Sequence, residues 1–251
     1  MKFVLKIFMF EILVMFILLS CEKDNTTPFI NPSNIVVGDY SNMSFQRLDT
    51  IIIGAYWEPA SFEIDIDKDS IVDFKIYSIY WGSPGMGYYS ESSVVCLNNS
   101  SYININYFPD TVFLYTKIDT VNSDNETRIT IYDTYSCERK YPNDSVMNIE
   151  ESYCINVLNK KDSISVADSW MTDSITLIEA VRWYVCQVSE TPDTTVWRQS
   201  HYYHNCHSFP NNTMAYIGIK KENSGKIKLG WIKLSISQNF IISVLEAAIQ
   251  K

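Results

Sequence analysis

The stretch KIKLGWIKLSIS, residues 226–237, decides the fold class. Ile227, Leu229 and Trp231 recur at every second position, the period of a strand whose successive side chains point to opposite faces. Ile232, Leu234 and Ile236 continue the period one residue out of phase, and the slip falls beside Gly230. A β-bulge there would let both halves face a single core, and a bulge beside Gly230 is the expectation. The same period runs outward through MAYIGIK (214–220) and FIISVLEAAI (240–249), and then through IVDFKIYSIYW (71–81), SYININY (101–107), TVFLYTKI (111–118), TRITIYDTY (127–135) and SYCINVL (152–158). Turn-forming residues separate these runs at Asn98-Asn99-Ser100, Pro109-Asp110, Asn122-Ser123-Asp124, Pro142-Asn143-Asp144 and Asn223-Ser224-Gly225. DSITLIEAVRWYVCQ (173–187) suits either a strand or a helix, since Leu177, Ile178, Val181 and Val185 also share a helical face. With 17 tyrosines against 8 glycines, the composition favours strands. No internal repeat interrupts the pattern. The spacing predicts an all-β protein with a single domain over residues 34–251, an antiparallel β-sandwich of jelly-roll type.

The first residues carry an address. Lys2 and Lys6 precede an apolar run that ends at Leu19, followed by Ser20 and Cys21, which is the layout of a secretory signal over residues 1–20. Leu18, Leu19, Ser20 and Cys21 resemble the lipobox of bacterial lipoproteins, and that resemblance implies lipidation of Cys21 and attachment to the membrane of the cell envelope. Lys6 and Glu11 argue against a retained membrane helix, which needs roughly 20 largely uncharged apolar residues. Residues 21–33 are polar, contain Pro28 and Pro32, and suit a lipidated N-terminus with a flexible tether. In some Gram-negative lipoproteins a charged stretch such as Glu22-Lys23-Asp24 accompanies surface display. The expected location is therefore the outer membrane, with the domain facing the envelope or the exterior. The ending YIGIKKENSGKIKLGWIKLSIS is similar to that of uncharacterised secreted β-sandwich proteins, which implies fold alone.

Without residues 1–20 the chain has 18 basic and 28 acidic residues, a net charge of −10. Such a surface repels a phosphate backbone, which argues against nucleic acid as a partner.

Four of those acids fall in EIDIDKDSIVDF (63–74), at Asp65, Asp67, Asp69 and Asp73. Strand-like residues on both sides place them in a turn. Carboxylates crowded in a turn repel one another unless a cation joins them. The spacing resembles the DxDxDGxxD loops of dockerins, thrombospondin type-3 repeats and related extracellular calcium modules. By position, that resemblance implies side-chain ligands from Asp65, Asp67, Asp69 and Asp73, a backbone carbonyl from Ile71, and calcium as a structural cofactor. Ser70 replaces the usual turn glycine, and Ile76 stands where an EF-hand has its bidentate glutamate, so a weak site is expected. A solvated acidic hairpin without an ion is the alternative.

His201, His204 and His207 are all the histidines of the chain, and they surround Cys206. Imidazole and thiolate are zinc ligands, so these four residues form a possible second metal site and the basis of an alternative function in metal handling or metalloenzyme chemistry. Their spacing fits neither one helical face nor one strand face. Setting Cys21 aside leaves Cys96, Cys137, Cys154, Cys186 and Cys206, an odd number for an oxidising compartment. Proximity favours Cys137 with Cys154 and Cys186 with Cys206, leaving Cys96 as a buried thiol; all five reduced is the other arrangement.

No nucleophile elbow or phosphate loop is present, and no spacing selects a pair of carboxylates for glycosidase chemistry, so the chain does not read as an enzyme. Trp81, Tyr88 and Tyr89 flank a Gly-Pro segment, and as exposed rings they would stack on a glycan or anchor another envelope protein. Core packing is the competing role for Trp81. The sequence thus leads to a lipid-anchored envelope protein, a binding or structural module with a calcium loop.

Overall fold

The computed structural model describes residues 33–54, 58–83, 87–123, 126–136, 145–191, 194–202, 209–237 and 241–251, with side chains described outside 83, 108–112, 145–152, 180–191 and 201–202. The expected signal sequence, Cys21 and most of the expected tether lie outside these residues.

The described strands are β1 (Asn34–Val36), β2 (Met43–Ile52), β3 (Ala60–Ile64), β4 (Phe74–Ser83), β5 (Gly87–Cys96), β6 (Ser101–Asn122), β7 (Thr127–Ser136), β8 (Ser145–Ile155), β9 (Val157–Leu158), β10 (Ser163–Ser165), β11 (Trp170–Met171), β12 (Ser174–Thr191), β13 (Thr194–Tyr202), β14 (Met214–Asn223), β15 (Lys226–Ile236) and β16 (Ile242–Gln250). The fold is all-β and forms an antiparallel β-sandwich. One layer runs β2-β16-β15-β14 to the start of β6, and the other runs from the end of β6 through β7-β13-β12-β5-β4-β3. Only β7 and β13 pair in parallel among the described strands. Asp133 of β7, itself buried, ties that region together by accepting from Thr116 on β6 and Arg198 on β13.

β6 belongs to both layers. Ser101–Ile103 pair with β14, and residues 105–122 pair with β8 and then β7. The turn expected at Pro109-Asp110 does not form: Pro109 pairs with Glu151 inside the strand. β8 is the only strand described alongside that part of β6, so its other edge needs no donor, which is where a strand tolerates proline. The Asn223-Ser224-Gly225 signal does make a turn. Asn223 pairs with Lys226 around Ser224 (φ 51°) and Gly225 (φ 75°), the two left-handed residues of a type I′ hairpin.

Between the layers lies the main core, with Ile64, Phe74, Ile76, Val94 and Leu177 on one side and Ile217, Ile219, Ile232, Leu234 and Ile249 on the other. A second core covers the opposite face of the β14–β16 layer. There Leu229, Trp231, Tyr216 and Ala248 pack against Ile35 and Ile164, which come from the two-stranded ribbon of β1 and β10.

This second core corrects the expected bulge beside Gly230. The β14–β15 register is unbroken from Met214↔Ser235 to Asn223↔Lys226. Leu229 and Trp231 enter the second core while Ile232, Leu234 and Ile236 enter the first. The phase slip marks a change of apolar face within a strand buried on both sides. Gly230 serves close packing: a Cβ there would sit 2.2 Å from the Ala248 carbonyl oxygen on β16.

Residues 174–187 of that stretch resolve as strand, within β12. A bulge between Thr176 and Ile178, opposite Ser93 and Ser92, puts Leu177 and Ile178 both into the core. Two consecutive core residues in a bulged strand imitate the i, i+1, i+4 pattern of a helix.

Candidate functional site

The acidic stretch is the loop from β3 to β4. Lys68 (φ 62°) and Ser70 (φ 71°) adopt the left-handed backbone that the turn requires, so Ser70 takes the conformation expected at the glycine position. Local hydrogen bonds fold the loop on its own acids. Asp65 accepts from the N–H of Asp69 (3.2 Å) and of Ser70 (2.7 Å), and Asp69 accepts from the N–H of Ile71 (2.8 Å). Gln46 on β2 donates its side-chain amide to the Asp65 and Ile66 carbonyls, at 2.7 and 3.0 Å.

Asp73 is fully buried at the inner end of the loop. One oxygen accepts from the Ile66 N–H (3.0 Å), the other from Asn98 Nδ2 (3.0 Å) and Ser101 Oγ (3.1 Å).

Into this nest reaches Lys221 of β14. Its Nζ lies 2.8 Å from Asp67 Oδ1, 3.0 Å from Asp69 Oδ2 and 3.0 Å from Asp73 Oδ1. Only 4% of the side chain is exposed, so the charge is withdrawn from solvent and answered inside the protein. Burial by itself would lower the lysine pKa; the hydrogen bonds to Asp67, Asp69 and Asp73 outweigh it and raise the pKa above the ordinary 10.5. The reciprocal effect falls on Asp69, whose pKa is lowered first by Lys221 and then by the Ile71 N–H. The loop thereby links one layer to the other: Asp73 precedes β4, whereas Lys221 and Ser101 are cross-strand partners in the facing layer.

Carboxylate oxygens of Asp65, Asp67 and Asp73 lie within 4.8 Å of one another, a cluster that can hold a metal ion. Asp69 falls outside that triad; its carboxylate accepts from Lys221 and from the Ile71 N–H. Ile71 contributes its N–H to Asp69 and leaves its side chain exposed. Four carboxylates against one ammonium leave three negative charges for a cation to offset. Oxygen-only donors in a flexible loop match the hard cations calcium and magnesium.

Sequence reasoning missed Lys221, yet a signal was present. Ala215, Ile217 and Ile219 enter the main core, and Lys221 is next in the same period of two. A lysine in phase with a core stripe requires buried carboxylates. Asn98, read as a turn residue, and Ser101, read as the start of a strand, hold Asp73 as well.

The aromatic residues divide between two faces. Trp81 pairs with Tyr89 across β4 and β5, with ring centroids 5.3 Å apart and planes inclined by 34°. Tyr88 pairs with Gly82 and stands near Tyr80, 6.3 Å between centroids, on the opposite face. Trp81, Tyr88 and Tyr89 are each half-buried, so the trio does not form one patch. Glu91 shares the Trp81 face and accepts from Tyr77 Oη (2.9 Å), Ser93 Oγ (2.5 Å) and Tyr89 Oη. Burial, reinforced by the Glu91 hydrogen bond, raises the Tyr89 pKa.

His201 lies in β13, paired with Arg182 and Thr134, and its side chain is outside the described set. His204, Cys206 and His207 are outside the described residues, as are Cys137 and the side chain of Cys186, so neither expected disulfide is described. Cys154 is buried with its Sγ 3.6 Å from the Asn106 carbonyl oxygen. Cys96 is a half-buried thiol 3.8 Å from the Met171 carbonyl oxygen. Compared with known proteins, the chain matches no family model, no curated protein and no solved structure.

Proposed function

We propose that this chain is a lipid-anchored protein of the cell envelope that works without catalysis, as a glycan-binding module stiffened by a calcium ion in the β3–β4 loop. The observation that carries the structural role of the loop is Lys221, which joins Asp67, Asp69 and Asp73 across the sandwich. A cation at Asp65, Asp67 and Asp73 strengthens the same junction, offsets charge that Lys221 leaves, and holds the two layers at one end. The partner-binding role rests on the outward Trp81–Tyr89 pair and its companion Glu91. Lipidation at Cys21 places the module on the outer membrane, and the polar tether gives it reach.

The test is a thermal melt of the full chain in detergent after chelation, with calcium, magnesium or zinc restored separately. A calcium-specific rise in Tm, lost in Asp65→Asn and Asp67→Asn, is the expected result; at 100 Kd of calcium the linkage amounts to about 2.7 kcal/mol. No response to calcium refutes the ion, and a response to zinc alone shifts attention to His201, His204, Cys206 and His207. For the anchor, Cys21→Ser is expected to move the protein out of the membrane fraction.

A further inference from the structure

Resting on the envelope location alone, we propose that the chain is an acceptor of O-linked glycans, attached to hydroxyls that directly follow an aspartate, Ser70 and Thr120 first among them. Of the 16 aspartates, 10 are followed by Ser or Thr, where composition alone would give about 3. In eight of those ten the next residue is Ile, Val or Thr. Where that third residue enters the core, as Ile164 and Ile175 do, the start of a strand explains it. That reason fails at Asp49-Thr50-Ile51, Asp69-Ser70-Ile71 and Asp119-Thr120-Val121, whose third residues are 64%, 59% and 65% exposed. There the acid, the hydroxyl and the branched apolar side chain recur at the surface with no packing to require them, as in a short acceptor sequence read by a modifying enzyme.

Ser70 and Thr120 are exposed, whereas Thr50 is half-buried and donates its hydroxyl to the Leu48 carbonyl (3.0 Å). Ser70 is held in its loop through its backbone N–H, which donates to Asp65, so a substituent on its Oγ leaves that bond intact. Asp119 pairs with exposed Lys117 (2.9 Å), a surface contact that an approaching enzyme displaces at little cost. In the transfer, the Ser or Thr oxygen bonds to the anomeric carbon of a glycan carried on a lipid diphosphate. The bond from that carbon to the phosphate oxygen breaks, its electron pair leaves on the diphosphate, and the hydroxyl proton passes to a base of the transferring enzyme. Donors of this class reside in the membrane, where a lipidated chain is anchored. A neutral sugar sits beside a carboxylate without repulsion, whereas a phosphate would set a second anion against each aspartate of an already acidic chain. The sugar also covers Ile71 or Val121, apolar side chains otherwise left in water.

The test is peptide mass spectrometry of the full chain, purified in detergent from the cells that make it naturally and digested with trypsin. Cleavage after Lys68 and Lys75 releases residues 69–75, in which Ser70 is the only hydroxyl side chain; cleavage after Lys117 and Arg128 releases residues 118–128, with Thr120. The expected result is a sugar-mass increment on both peptides, released by mild alkaline β-elimination and resistant to phosphatase. Thr120→Ala and Asp119→Asn are each expected to lose the increment from residues 118–128, and Thr120→Ser to keep it. Residues 222–226, whose Ser224 is exposed but follows Asn223, are expected to stay bare. Bare peptides at both sites overturn the proposal, and an increment that phosphatase removes overturns the sugar. An increment that survives Asp119→Asn, or appears equally on residues 222–226, overturns the part played by the aspartate. A chain lacking residues 2–20 is expected to carry no sugar; sugar on it overturns the envelope location and leaves the two acceptors standing.

Discussion

At position 221 a lysine occupies a place that its strand neighbours Ile217 and Ile219 give to the core, and the three carboxylates around its Nζ are what make that place tenable. Replacing it by methionine keeps the apolar stem but takes the ammonium away from buried Asp73. Breaking one side of a buried pair costs about 3–5 kcal/mol, so urea denaturation of Lys221→Met should show a loss of that order. Adding Asp73→Asn to that variant should recover part of it, since Asn98 and Ser101 can still bond the residue. Cys96 makes a second prediction. Burial, then the charges of Asp173 and Asp73, push its thiol up to about 12 from the ordinary 9.0. An acid whose folded pKa is raised contributes its stability in full below the unfolded value and loses it as pH climbs through the folded one. The contribution from Cys96 is therefore present below pH 9 and fades between 9 and about 12. At pH 8 iodoacetamide should label Cys96 on the order of 100–1,000 times faster in urea than in the native protein, as peptide mapping would register.

Among the strands, β15 shows how a side chain's face follows from both neighbouring layers. A Cβ at Gly230 meets the Ala248 carbonyl, so Gly230→Ala must push β16 away and should cost about 1–3 kcal/mol by overpacking. Trp231→Ala should cost about 3–5 kcal/mol by emptying the second core. Both losses are measurable by chemical denaturation. The strands themselves were legible from alternation at β4, β14 and β16. The double burial of β15 was not, because a phase slip looks the same whether a bulge keeps one face or the chain exploits two. The helical appearance of Leu177, Ile178 and Val181 came from a bulge in β12, and Pro109 was read as a turn because its partner β8 lies some forty residues away. In the acidic loop, the spacing revealed the carboxylates, and the resemblance to calcium loops implied a sharp turn at Ser70. Their cationic partner was hidden by distance along the chain, although its phase in β14 was visible.

Across the whole molecule, burial is uneven. Strands β14, β15 and β16 are covered on both sides in their central parts, whereas the side chains of β7 are nearly all half-exposed. Hydrogen exchange should follow that division: amides near Ile217, Trp231 and Ala247 opening only with global unfolding, and those of β7 exchanging first through local opening. Trp231→Ala should bring the β1–β10 ribbon into the fast class. The junction at Lys221 spans 154 residues to Asp67. A growing polypeptide therefore exposes its acidic hairpin long before the answering ammonium has been made. Until β14 emerges, mutual repulsion keeps that hairpin from settling, and a chain cut short before Lys221 never acquires the clasp.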